Sequence, residues 1–136
     1  MNPFEEFIHT LSIGLNLPLT AEKGILCKLQ IDEKLSLYLQ YDEANDLLLI
    51  GCLVGEIPPG KFRENVLKEA LKQNAYYPRI ANLCYTEKGN KLAFYTHKSF
   101  ERIDAQTASH LIESYIAYGM SWHTAIQTGN LSMVIS

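Results

Sequence analysis

Acid–base or nucleophilic chemistry needs a carboxylate, histidine or thiol set against a second such group. This chain offers three sets to weigh. Asp42, Glu43 and Asp46 crowd together, a density that would suit paired carboxylates. The same composition suits a turn between strands, where Asp accepts local backbone hydrogen bonds, and the turn is the reading adopted. His9, His97, His110 and His123 are dispersed along the chain, and none belongs to an H-E-x-x-H pair. Cys27, Cys52 and Cys84 are odd in number, lie in predicted strands and lack metal-ligand spacing, so they read as reduced core residues. Gly51 and Gly55 are followed by no Gly-Lys-Ser/Thr, so they mark a bulge or a close backbone approach rather than a phosphate loop. Asn130-Leu131-Ser132 matches a glycosylation acceptor, which carries meaning only behind a secretory signal. No catalytic set, metal site or cofactor site emerges, and the reading is a binding protein rather than an enzyme.

Composition bounds the rest. With 136 residues, 47% of them hydrophobic, the chain fits one domain over residues 1–136, with a short tail from residue 129. The net charge is −3 and the twelve Lys and Arg are scattered, so nothing resembles the basic footprint of a nucleic-acid binder. The longest apolar run, residues 47–54, is far short of the roughly 20 residues that span a bilayer. The start Met1-Asn2-Pro3-Phe4-Glu5-Glu6 has no basic n-region, and the expected localisation is cytoplasmic.

Three strands laid nearly end to end organise the chain. Residues 24–31 put Ile25, Cys27, Leu29 and Ile31 on one face at a period of two. Asp32-Glu33-Lys34 turns the chain into residues 35–41, with Leu35, Leu37, Leu39 and Tyr41 inward. Residues 47–54 are apolar on both faces, as a central or doubly covered strand would be. A first helix starts at Asn2 and Pro3, carries Phe4, Phe7, Ile8 and Leu11 at helical spacing, and is expected to end at Gly14. A second runs over residues 61–73 behind Pro58-Pro59-Gly60, with Phe62, Val66, Leu67, Ala70 and Leu71 as its stripe. Residues 80–85 and 91–96 flank a Gly-containing hairpin loop. A long helix follows, from the N-cap Asp104 to about Thr128, with Gly129 as its stop and Gly119 marking a bend or a close approach. The class is α+β: three helices on an antiparallel sheet of about five strands, in the order α-β-β-β-α-β-β-α. The doubly apolar third strand leaves surface that the first helix, a second copy of the chain, an extended partner segment or simply an internal core would cover. The tail from Asn130, with Leu131, Met133, Val134 and Ile135, reads as either disordered or an apolar strap.

Element order, length and acidity together resemble the class I chaperones of bacterial type III secretion, the Tir-chaperone-like effector chaperones. The resemblance rests on Leu17-Pro18-Leu19 before a strand, Cys27-Lys28-Leu29-Gln30-Ile31-Asp32, the acidic turn before Leu47-Leu48-Leu49-Ile50-Gly51, Pro58-Pro59, the run Leu67-Lys68-Glu69-Ala70-Leu71-Lys72-Gln73-Asn74, and the closing helix. It implies a homodimer that keeps an effector's N-terminal segment extended and secretion-competent without ATP hydrolysis, with the secretion-system ATPase as a further partner. It also implies an effector groove lined by Phe4, Phe7, Ile8 and Leu11 of the first helix and by Ile25, Cys27, Leu29, Leu37 and Leu39 of the sheet, with an effector strand extending that sheet. The dimer interface it implies falls on Val66, Ala70, Leu71, Leu83 and Tyr85. The apolar tail and the Tyr118–Trp122 region depart from the family's more charged last helix. Two other readings stay open from the residues: a homodimeric scaffold with a closed core, and a small-ligand-binding domain in which Asp42, Asp46 and a histidine meet.

Overall fold

The computed structural model describes residues 1–76 and 79–134. Helix α1 (Pro3–Leu15) starts where the Asn2 side chain accepts from the Glu5 N–H at 2.8 Å while Glu5 accepts from the Asn2 N–H at 2.9 Å, a complete capping box. The helix passes through Gly14 and stops at Asn16, which takes a left-handed φ of 54°. Asn tolerates that conformation almost as Gly does, which is why the expected stop at Gly14 falls two residues early. Strands β1 (Leu26–Ile31), β2 (Leu35–Asp42) and β3 (Leu47–Glu56) follow, then α2 (Lys61–Asn74), β4 (Asn82–Thr86), β5 (Lys91–Ser99) and α3 (Ala105–Thr128). A short 3-10 turn, Leu131–Met133, closes the described chain.

All five strands form one antiparallel sheet in the order β1-β2-β3-β5-β4. The doubly apolar strand β3 is therefore central, as its pattern requires. Cross-strand partners share a face, so Cys27, Leu39 and Ile50 line up inward, as do Leu37, Cys52 and Phe94. Helices α1 and α3 pack on this face, and α2 packs beside β4. Trp122, Tyr115, Phe4 and Phe94 are the largest fully buried side chains, and the Phe94 and Tyr115 rings meet edge to face at 5.1 Å. No helix of the described residues is long and apolar enough to cross a membrane.

Two glycines show why their positions exclude a side chain. A Cβ on Gly51 would sit 2.8 Å from the Tyr38 ring, which lies across it from the neighbouring strand. A Cβ on Gly119 would sit 3.0 Å from Leu35 and 3.3 Å from the Cys52 sulfur, so α3 touches the sheet there. Gly119→Val adds further methyl groups into that contact and is expected to cost ~1–3 kcal/mol and lower Tm by roughly 5–10 °C in a thermal melt. An unchanged Tm would show that the helix can lift without loss.

The tail is a strap. The Gln73 side chain on α2 donates to the Val134 carbonyl and to Glu69, and its oxygen accepts from the Tyr118 hydroxyl of α3 at 2.7 Å. Leu131 and Val134 pack against the core. Ile135 lies outside the described residues.

Candidate functional site

The backbone of β1 shows where the sheet can accept another strand. Glu22 exchanges both backbone hydrogen bonds with Leu26 on the side away from β2, while the Ile25 carbonyl accepts from Tyr41 on the side facing it. Backbone direction alternates along a strand, so the groups of Lys28 and Gln30 point outward on the free edge. A recess of about 370 Å³ opens beside them, lined by Lys28, Leu29, Gln30, Ser36, Tyr38 and Leu53, with Leu37 at its base.

At the end of the same strands lies an aromatic shelf. Phe100 stands 4.4 Å from the Tyr41 ring and 5.3 Å, edge on, from Phe7, with Phe4 stacked on Tyr41 at 5.8 Å. Phe4 is buried, whereas Phe7, Tyr41 and Phe100 are half-buried and offer ring surface. Ile25 is 45% exposed at the entrance to β1.

Strand β4, at the opposite edge, is differently equipped. Asn74 at the end of α2 donates to the Leu83 carbonyl at 2.8 Å and accepts from the Leu83 N–H at 2.9 Å. That side chain occupies the edge at Leu83, so a continuous strand cannot pair through this point. On α2, on β4 and in the segment between them, Leu71 is 72% exposed, Tyr76 52%, Ile80 48% and Tyr85 36%.

The residues expected to line a groove divide by depth. Phe7, Ile25 and Leu29 reach the surface, while Phe4, Ile8, Leu11, Cys27, Leu37 and Leu39 sit in the closed core at 1% exposure or less. Among the expected interface residues, Leu71 and Tyr85 face solvent, and Val66, Ala70 and Leu83 are buried within the protomer. Tyr41 and Phe100 of the shelf, and Asn74 on the β4 edge, carried no sequence signal for these roles.

The clustered carboxylates sit at the β2–β3 turn, and Cys27 and Cys52 in the core. Asp42 accepts from the Asn45 side chain at 2.7 Å, and Asp46 from Ser99 Oγ at 2.6 Å and the Glu101 N–H at 3.0 Å. Asp42 and His97 do line one shallow recess together, but Asp46 faces away into its own contacts. Among the described residues no three His, Cys, Asp or Glu side chains could hold a metal ion. His123 Nδ1 lies 3.1 Å from the Val54 carbonyl, beside the bulge that Gly55 makes in β3. Burial pushes the Cys52 thiol up to about 12 and the Tyr115 hydroxyl up to about 12, and raises Cys27 as well. The Cys52 thiol and the Tyr115 hydroxyl are neutral when folded, so their stabilisation is whole below their ordinary values of 9.0 and 10.0 and is lost as pH climbs toward 12. Tm is therefore expected to be level to about pH 9 and to fall above it, less steeply in Cys52→Ala after allowing for that variant's lower starting Tm. A Tm level up to pH 11 would contradict this.

The chain is a small α+β module whose five-stranded sheet keeps an open strand edge beside an aromatic shelf. A model of the Tir chaperone protein (CesT) family matches residues 6–123, and the chain belongs to that family. Its role is thus that of a type III secretion chaperone. The fold is similar to a chain of the HopA1–SchA chaperone–effector complex, at 21% identity and TM-score 0.69, covering 90% of this chain and 94% of that one. It is also similar to a chain from the complex of the Yersinia pestis type III secretion chaperone SycH with a fragment of YscM2, at 11% identity and TM-score 0.67 over 86% and 97%. A third likeness is to the Pseudomonas aeruginosa ExoU–SpcU complex, at 16% identity and TM-score 0.66 over 89% and 98%. A search of curated proteins gives no match.

Proposed function

We propose that this chain works in the cytoplasm as a homodimer that holds the N-terminal segment of a type III secretion effector extended and ready for export, without hydrolysing ATP. The observation that carries the reading is the free edge of β1 at Lys28 and Gln30, set between a recess and the Phe7–Tyr41–Phe100 shelf. A strand edge binds main chain whatever its sequence, and neighbouring pockets then choose side chains. The client strand pairs along β1 while its apolar side chains settle on Phe7, Ile25 and Leu29. The core residues Phe4, Ile8, Leu11, Cys27, Leu37 and Leu39 support these from beneath. Two copies meet through Leu71 and Tyr85, backed by Val66, Ala70 and Leu83. The HopA1–SchA chaperone–effector complex, which contains a chain of similar fold, supports the partner class. Docking of the loaded dimer on the secretion ATPase completes the proposal.

The test is native mass spectrometry on tagged protein recovered from its own cells in nucleotide-free buffer, followed by limited proteolysis. The expected result is two chains per client, with the client's N-terminal segment protected. A client that stays bound through a folded domain, or is released on nucleotide removal, would refute the reading.

A further inference from the structure

A second seat lies at the other end of the sheet. Strand β5 outruns its neighbour: β4 pairs with residues 91–95, while residues 96–99 keep only β3 as partner. Leu83 opposite Phe94 directs its backbone groups to Asn74, away from β5. By alternation those of Tyr95 and His97 therefore point to the β4 side, as the bond from the Asn82 side chain to the Tyr95 carbonyl shows. Among the described residues the His97 N–H and C=O take no backbone partner on that side, where residues 79–82 bend away and leave a recess against Thr96 and Lys98.

Beside this edge opens a cavity of about 450 Å³, lined by His97, Lys98, Ser99, Arg102, Ile103, Thr107 and Leu111. Its floor is apolar, since Ile103 and Leu111 are half-buried against the core. Its rim is basic. Lys98 and Arg102 are exposed and form no ion pair among the described residues, and no carboxylate lines the cavity. Asp46 is engaged by Ser99 and the Glu101 N–H, and Asp104 by the Thr107 N–H that it caps, while the exposed Glu101 precedes Arg102 without lining the cavity. In a chain of net charge −3, such a purely cationic recess is a local reversal of sign.

We propose that this cleft is a docking site for an extended segment of a partner protein that alternates acidic and apolar side chains. A strand paired with His97 puts one set of side chains onto Ile103 and Leu111 and brings carboxylates to Lys98 and Arg102. The open backbone edge and the apolar floor favour a peptide over a phosphate chain, which needs neither. The site is separate from the β1 edge and does not depend on it.

Panning a random 12-residue display library on the native protein and on the Lys98→Glu/Arg102→Glu variant tests this, because both side chains are exposed and their exchange leaves the core intact. The expected result is a pool rich in Asp or Glu alternating with Val, Ile or Leu. Its synthetic members should bind the variant at least about 10-fold more weakly, weaken with salt, and lose binding when alternate amides are N-methylated. The same peptides should bind a Phe7→Asp/Leu29→Asp variant unchanged, which separates this site from the β1 groove. Indistinguishable pools from the two proteins, a pool without acidic preference, or displacement of the peptides by a short RNA of equal affinity would overturn the proposal.

Discussion

Leu71→Asp is expected to convert the proposed dimer to a single 15.4 kDa chain in size-exclusion light scattering. Leu71 is 72% exposed in the protomer, so the change removes little from the fold itself. In a dimer seam it would remove the burial of a Leu, about 1.5–3 kcal/mol, and strand a carboxylate in apolar surroundings. A two-fold interface meets each substitution twice, which carries the loss past about 3 kcal/mol and the dissociation constant past about 100-fold. The monomer should keep its circular dichroism spectrum. Leu83→Asp makes the contrast: that side chain is 6% exposed inside the protomer, and its replacement should unfold the chain. A Leu71→Asp dimer that survives dilution as the parent does would exclude α2 from the interface.

The element order was legible because each element carries its own local signal. Asn2 and Asp104 cap α1 and α3, period-two alternation marks β1 and β2, and the doubly apolar run marks the centre of the sheet. Errors gathered where tertiary contact decides. Residues 80–81 read as strand by composition, yet β4 begins at Asn82, and β5 runs on to Ser99 because β3 is long enough to pair it. The tail's two readings were separated by Gln73, sixty-one residues away from Val134. The site was less legible than the fold for a related reason. One apolar stripe on α1 supplies Phe4, Ile8 and Leu11 to the core and Phe7 to the surface shelf, and helical periodicity gives these the same mark. Asn74 illustrates the other limit: nothing local distinguishes a helix-ending Asn from one that reaches across to occupy a strand edge.

Phe7→Asp combined with Leu29→Asp is expected to abolish client retention, by more than about 100-fold in dissociation constant, with the dimer intact. Each side chain is half-buried, so a bound segment would complete its burial, worth about 1.5–3 kcal/mol per residue if wholly lost. Introduced carboxylates add a desolvation cost when the client closes over them. Phe7 also packs against Phe100, so the thermal melt must first show a folded protein. Lys28→Pro provides the second arm. Its outward N–H is free for a client strand, and Pro is tolerated on an edge but cannot donate. One such bond is worth about 0.5–1.5 kcal/mol, so affinity should fall up to about 10-fold while the shelf is untouched. Failure of the first variant alone would mean that the client uses the shelf without pairing. Failure of Lys28→Pro alone would mean that backbone pairing dominates, and retention by both would move the client off the β1 edge altogether.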